Sequence, residues 1–293
     1  MIWRLRTRIQ GAAAATNARR DRQALRDKVR AGFHRAWARP TLSYPMYALA
    51  ESALKLRHHI NRFFYHRRRR MLPPIEGGKV AACGQDFFVA DLLGGKRNGI
   101  FVDIGANDGV TVSNSYRFEK ELGWTGIAVE PLPSVFEKLT ANRSCHLVNG
   151  CVTPEGGKAQ LVEMVGAPNM LSTLETHNRG LTARRLRHSR QRHGSATRTI
   201  EVDCHTFASL MDRFDIRSID FLSVDTEGGE LDILKSIDFG RYPVSVISVE
   251  NNYYTDDIRS YLERQGFLYL GTFKVDEIYL FGGAHLRAAL PAK

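Results

Sequence analysis

The chain has 293 residues and carries 42 Lys and Arg against 31 Asp and Glu, a net charge of +11, with 43% of residues hydrophobic. That length holds a sizeable core. Its four cysteines (Cys83, Cys145, Cys151 and Cys204) form no C-x-x-C pair and no zinc-like spacing with histidine, which excludes a disulfide framework and a zinc ribbon.

The charge is lopsided. Residues 1–70 hold 18 Lys and Arg against 3 Asp and Glu, whereas the remainder is net −4. Residues 11–15 are too short for the apolar centre of a signal peptide, and no run of 18 apolar residues predicts a membrane span. The cysteines read as small core residues of a reduced, cytoplasmic protein.

Residues 18–70 predict two helical stretches separated by Pro40 and Pro45. The second mixes Leu49, Leu54, Ile60, Phe63 and Phe64 with Arg57, Arg62 and four arginines at 67–70. A basic amphipathic helix of this kind lies on an anionic membrane surface, binds nucleic acid or stands as a solvated arm. Aromatics do not interleave the basic runs as a stacking platform requires, which disfavours nucleic acid. Contact with the inner membrane face and a free arm remain. Pro73-Pro74 and Gly77-Gly78 read as a linker. The expected organisation is a basic helical arm over 1–78 and a globular domain over 79–293.

From Gln85 onward, helical and apolar segments alternate as in a wound α/β sheet. A helix at 85–93 stops at Gly94-Gly95. A strand at 100–104 runs into Asp103-Ile-Gly105-Ala-Asn107-Asp-Gly109, followed by a helix over 111–123. A second strand at 125–129 ends on Glu130. Ser134 and Glu137 predict a capping box for the next helix, and Asn142 its end. A third strand falls at 145–149 and a strand-like segment at 159–165. The long loop over 157–203, with its arginine-rich stretch at 179–198, reads as a functional lid or a disordered segment, and a strand falls at 199–203. Beyond a helix at 206–214 come a strand at 219–224 leading into Asp225-Thr-Glu227-Gly-Gly-Glu230, a helix ending near Gly240, and a strand at 244–249 closing on Glu250-Asn251. A helix at 255–265 and a hairpin of strands at 267–271 and 277–281 finish the domain.

The glycine loop and Glu130 form a nucleoside-binding pattern. Glycines let backbone N–H groups approach a ligand, and a carboxylate after the second strand accepts from ribose hydroxyls. The loop lacks the G-x-G-x-x-G of a dinucleotide fold and carries extra carboxylates, which would repel a pyrophosphate. A cationic nucleoside, S-adenosylmethionine, fits better. In this reading Gly105 and Gly109 admit the backbone, while Asp103 and Asn107 bind the methionine ammonium end or orient the loop. The alternatives are a dinucleotide or a plain strand–helix turn.

With these elements placed, the chain resembles the FkbM family of S-adenosylmethionine-dependent methyltransferases, through Gly84-Gln85-Asp86, residues 101–109, 124–131, Ser172-Thr173-Leu174 and 220–230. The resemblance implies a Rossmann-like class I methyltransferase fold, with a seven-stranded, mostly parallel sheet ending in an antiparallel hairpin. It also implies O-methyl transfer to a saccharide, glycolipid or secondary metabolite.

An alcohol needs a base or a metal to attack. Without a metal, Asp225 or Glu227 is the expected catalytic general base. Asp225, Glu250 and Asn251 form a pattern similar to the Mg²⁺ ligands of catechol-type O-methyltransferases. The bland reading makes Asp225 or Thr226 a helix cap, and His177 and His205 are weaker candidate bases. Two other functions compete: an RNA methyltransferase, which lacks here an Asn-Pro-Pro-Tyr signature, and a non-catalytic, S-adenosylmethionine-binding membrane scaffold.

Overall fold

The structure is a computed structural model that describes residues 81, 84–165, 172–178, 180–194 and 196–282. The basic arm over 1–78 lies outside the described residues, as does Cys83. Among the described residues, no helix is long and apolar enough to cross a membrane.

The fold is α/β, built on a mixed seven-stranded sheet. Five strands, β1 (Ile100–Ile104), β2 (Thr125–Glu130), β3 (His146–Asn149), β8 (Ile219–Val224) and β9 (Val244–Glu250), are parallel, in the order β9-β8-β1-β2-β3. A hairpin of β10 (Phe267–Phe273) and β11 (Asp276–Phe281) adds antiparallel pairs beyond β9.

The parallel strands are apolar on both faces because both are covered. Val102, Ile104, Leu222, Val224, Ile247 and Val249 face helices α5 (Phe207–Arg213), α6 (Glu230–Ser236) and α7 (Asp256–Arg264), meeting Leu210, Ile233 and Leu262. The alternate residues Phe101, Phe221 and Val246 meet Val89 of α1 (Gln85–Leu92) and Phe118 of α2 (Tyr116–Leu122). Each fully buried side chain of this size contributes about 1.5–3 kcal/mol.

Four expectations are corrected. The helix expected from 111 begins only at Tyr116. Asp108 accepts from the Val110 and Thr111 N–H groups (2.9 and 2.6 Å), making a turn, and Val112 takes φ 54°, which breaks a helix. Helix α3 (Pro133–Asn142) is not started by a Ser134–Glu137 capping box. Leu132 is its N-cap and Pro133 its first residue, so the proline's fixed φ nucleates the turn two positions earlier.

Over residues 180–193 the arginine-rich stretch is ordered, against the disordered alternative. It forms helix α4 (Gly180–His193), consistent with the helix propensity of its Ala, Leu, Arg and Gln residues. The strand after it runs from Ala196 to His205 (β7) and joins a second, four-stranded sheet in the order β4-β7-β5-β6 with β4 (Cys151–Val152), β5 (Gly157–Val165) and β6 (Thr173–Leu174). The β5 and β7 partners stay in register from Gly157↔Cys204 to Val165↔Ala196. Leu161, Leu174, Val202 and Cys204 pack with Leu132 and Val135 of the main domain.

Candidate active site

The cleft opens where the strand order turns outward in both directions from β1, at the carboxyl ends of β1, β2 and β8. Ligands collect at such a switch point in wound sheets. Gly105, at φ +88°, is what lets β1 and β8 meet there: a Cβ on it would lie 1.7 Å from the Asp225 carbonyl oxygen. The Asp225 N–H in turn donates to the Ile104 carbonyl at 2.9 Å, and the Gly105 and Ala106 N–H groups donate to Val129 (3.0 and 2.9 Å).

Glu130, the last residue of β2, accepts from the Asn107 N–H through one oxygen and from the Leu132 N–H through the other, both at 3.0 Å. Burial pushes its pKa up to about 7 against those two donors. Gly105, Asn107, Glu130, Leu132, Cys151, Leu174, His177, Asp225 and Glu227 lie on the wall of a cleft of about 790 Å³, open mouth included.

Asp103 and Gly109 stand elsewhere. Asp103 points to the Phe101 face of the sheet, is 3% exposed, and accepts from the Ser115 hydroxyl. Arg143 donates to Ser115 Oγ (3.0 Å), to the Gly109 carbonyl (3.1 Å) and to Glu119 (2.7 Å). Burial raises the pKa of Asp103. Glu119 is also penalised by burial, but the Arg143 guanidinium brings it down to about 2. This network pins the loop from behind. Gly109 serves the same packing, since a Cβ there would lie 2.5 Å from Leu139 Cδ1 and 2.6 Å from Arg143 Cγ.

The opposite wall is acidic. One carboxylate oxygen each of Asp225, Glu227 and Glu250 falls within 4.8 Å of the others. Glu227 sits at φ 58° in the turn before α6, which Glu230 secures by accepting from the Thr226 and Gly228 N–H groups (3.0 and 2.9 Å). Neither Asp225 nor Thr226 is the N-cap of that helix; Gly229 is.

Burial, with the neighbouring acids adding to it, pushes Asp225 up to about 6 and Glu227 up to about 8, while Arg185 pulls both down. Burial and the Asp225 charge raise Glu250 further, so Glu250 keeps its proton and shares it with Asp225. Its Oε2 is buried with no hydrogen-bond partner, in a residue only 6% exposed.

Asn251 does not complete this group. Its amide donates to the Thr255 carbonyl (2.8 Å) and Glu277 (3.2 Å), and its oxygen accepts from the Thr255 N–H (3.1 Å). The third carboxylate beside Asp225 and Glu250 is Glu227. His177 is on the cleft wall, 3.7 Å from Asp232, whereas His205 ends β7 beside Gly150.

Sequence reasoning missed Arg185. From α4 it pairs with Glu227 through both guanidinium nitrogens, and Asn252 donates to the same carboxylate at 3.2 Å. The Thr173 hydroxyl donates to the Glu227 carbonyl (2.9 Å), and the Tyr253 hydroxyl to Thr182 of α4 (3.0 Å). Among the many arginines of 179–198, only the i, i+1, i+4 placement of Arg185, Leu186 and Ser189 on one helical face distinguishes it.

The family described as the methyltransferase FkbM domain matches over residues 103–269. No curated protein matches the chain. Among solved structures, the chain is similar to the METTL16 MTase domain, with 13% identity over 72% of this chain and 71% of that one and a TM-score of 0.38. It is also similar to the N-terminal domain of human METTL16 in complex with SAH (14%, 72% and 73%, 0.37). A third similar structure is a human methyltransferase 10 domain containing protein (14%, 71% and 83%, 0.35).

Proposed function

This chain belongs to the methyltransferase FkbM domain family, and from that membership and the cleft's chemistry we propose that it is an S-adenosylmethionine-dependent O-methyltransferase acting on a hydroxyl of a saccharide, glycolipid or secondary metabolite. The seven-stranded sheet is then a Rossmann-like class I scaffold over 79–293. The basic arm over 1–78 is a separate segment suited by its charge to an anionic membrane face.

The observation that carries the reading is the acid lining. A cleft walled by Glu130, Asp225 and Glu227, with Glu250 buried beside the last two, suits a ligand with cationic groups better than a diphosphate. Glu130 uses one lone pair of each oxygen on a backbone N–H and retains others for two ribose hydroxyls. Gly105 and Asn107 shape the floor beside it. When bound, S-adenosylmethionine supplies an electrophilic methyl group on a sulfonium.

Asp225 is partly exposed at the cleft and is raised to about 6, nearer the value a general base needs at neutral pH. It accepts the acceptor hydroxyl's proton at a side-chain oxygen. Glu227, held by Arg185 and Asn252, fixes the wall beside it. Asp103 and Gly109 act from behind, by setting the loop.

A divalent cation at Asp225, Glu227 and Glu250 is a second reading, favoured by the unpartnered Glu250 Oε2. There it would lower the pKa of a bound hydroxyl.

Calorimetric titration with S-adenosylmethionine, with Mg²⁺ and with a chelator, tests the reading. Micromolar binding is expected, and binding that needs Mg²⁺ would favour the cation. Folded protein that takes up none refutes the proposal. Asp225→Asn is expected to retain S-adenosylmethionine within threefold yet lose turnover to S-adenosylhomocysteine, and an active variant removes Asp225 from catalysis.

A further inference from the structure

Buried polar groups in a folded chain are nearly always paired. Among the described residues, seven of the eight buried side-chain atoms without a hydrogen-bond partner fall on Asp86, Asn114, Arg117, Ser248 and Glu250. Asp86, Asn114, Ser248 and Glu250 are each more than nine-tenths buried. All five residues stand on the side of the sheet that α1 and α2 cover.

Hydrogen bonds and strand register bring them to one corner. Asn114, in the turn before α2, donates through Nδ2 to the Ser223 hydroxyl of β8 at 3.1 Å. Ser223 is the ladder partner of Ser248 on β9, and Glu250 lies two residues further along β9 on the same face. Gln85 of α1 donates to Asp276 at 2.6 Å, and Asp276 stands opposite Glu250 in the sheet. Arg117 is in the first turn of α2, and its charge acts on Asp86 in the first turn of α1, although no hydrogen bond joins them. The corner is continuous with the cleft, because carboxylate oxygens of Glu250 and Asp225 lie within 4.8 Å of one another.

The unpartnered groups carry both signs. Asp86 offers two carboxylate oxygens, which its own N–H and that of Phe87 approach without a well-aligned hydrogen bond. Arg117 uses Nη2 on Glu121 (3.2 Å) and rests its guanidinium 3.7 Å from the centre of the Phe87 ring, which leaves Nε and Nη1 unpartnered. Asn114 Oδ1 adds a neutral acceptor, and the Ser248 hydroxyl can donate or accept. An ammonium and a carboxylate on one carbon satisfy this set.

We propose that this corner binds the amino-acid end of the cofactor, its ammonium toward Asp86 and Asn114 and its carboxylate toward Arg117. This rests on the S-adenosylmethionine reading of the cleft. The span agrees with it. Strands β2, β1 and β8 are successive neighbours, so the ends of β2 and β8 are two strand spacings, about 10 Å, apart. That is the reach from a ribose hydroxyl on Glu130, through the sulfonium, to a methionine α-carbon. Asp225 lies along this path, which sets the sulfonium beside the general base. Asp103, expected from the sequence to take the ammonium, is instead engaged by Ser115 behind the loop.

Calorimetry of the full chain tests this with three ligands that share one nucleoside. S-adenosylhomocysteine carries the whole amino-acid end, S-adenosyl-3-thiopropylamine keeps only its ammonium, and 5′-methylthioadenosine has neither group. S-adenosylhomocysteine is expected to bind at least thirtyfold more tightly than 5′-methylthioadenosine. Asp86→Asn is expected to weaken S-adenosylhomocysteine and the thiopropylamine at least tenfold, and Arg117→Gln to weaken S-adenosylhomocysteine alone. Both variants should hold 5′-methylthioadenosine within twofold of the unaltered protein.

Equal affinity of the unaltered protein for S-adenosylhomocysteine and 5′-methylthioadenosine overturns the proposal without recourse to a variant, and leaves the nucleoside cleft standing. Variants that weaken all three ligands alike also overturn it, making Asp86 and Arg117 structural, as do variants that weaken none. Folded protein that binds none of the three refutes the cofactor reading itself, and the corner falls with it.

Discussion

Gly105→Ala tests whether the cleft depends on the close approach of β1 and β8. The new Cβ would lie 1.7 Å from the Asp225 carbonyl oxygen. A carbon–oxygen contact needs about 3.3 Å, so one strand end must shift by roughly 1.5 Å. The shift costs about 1–3 kcal/mol in packing, and the hydrogen bond from Asp225 N–H to Ile104 is lost at about 1 kcal/mol. The left-handed φ of +88° adds about 1–2 kcal/mol for any residue with a Cβ.

Gly157→Ala isolates that last contribution. Gly157 has φ +92° and nothing within 4 Å of the Cβ position. Gly105→Ala is therefore expected to lose about 3–6 kcal/mol and Gly157→Ala about 1–2. The melting midpoints should differ by about 4–16 °C in a domain of this size. Urea unfolding followed by circular dichroism, with scanning calorimetry, measures both. Equal midpoints for the two variants would refute the collision and with it the role assigned to Gly105.

Glu130→Ala leaves the Asn107 and Leu132 N–H groups without their acceptor and is expected to weaken S-adenosylmethionine binding at least tenfold by calorimetry; unchanged affinity would remove Glu130 from the cofactor site. The raised pKa values of Glu130 and Asp276, each about 7, give a pH dependence with a definite sign. A carboxyl group with a raised folded-state pKa stabilises most below its unfolded value and loses that contribution as pH rises through the folded one. The melting midpoint is thus expected to fall between pH 5 and pH 8, with Glu130 alone contributing on the order of 3 kcal/mol, and Glu130→Gln should flatten the slope. A midpoint constant over that range contradicts the assignment. Removing residues 1–78 is expected to leave the melting midpoint of 79–293 unchanged within about 3 °C, and a larger fall would show that the arm packs on the core.

The parallel strands were legible because they are short apolar runs bounded by glycines and acids. Residues 100–104, 125–130 and 219–224 fall within a residue of their expected limits. Glu130, Asp225 and Glu250 were legible as strand-end acids for the same reason. Local side-chain chemistry was harder. Pro133 outcompeted the Ser134–Glu137 box, and Val112 in a left-handed conformation delayed α2, which no propensity predicts. Asn251 looked like a ligand in the sequence, but its amide is consumed by Thr255 and Glu277, the latter 26 residues away. The second sheet was hidden because β7 alternates Thr, Arg, Glu and Asp with Ile200, Val202 and Cys204, and its arginine-rich approach masks the period. Arg185 was invisible because its partner, Glu227, is 42 positions away.

The departure and return of residues 153–205 has an evolutionary consequence. Cys151 pairs with Cys204 and Val152 with His205 as parallel neighbours, and the Thr153 N–H donates to the His205 carbonyl at 2.9 Å. The chain therefore leaves the main domain and rejoins it about one strand spacing, ~4.8 Å, apart. Everything between, including β5, β6, α4 and β7, is a cassette whose ends are already docked side by side. Such a cassette can change in length between its docked ends, provided that Thr173 and Arg185 still hold Glu227 and that Leu161 and Leu174 still pack against Leu132 and Val135. Grafting the 153–205 cassette between family members is then a direct test of whether it carries acceptor choice.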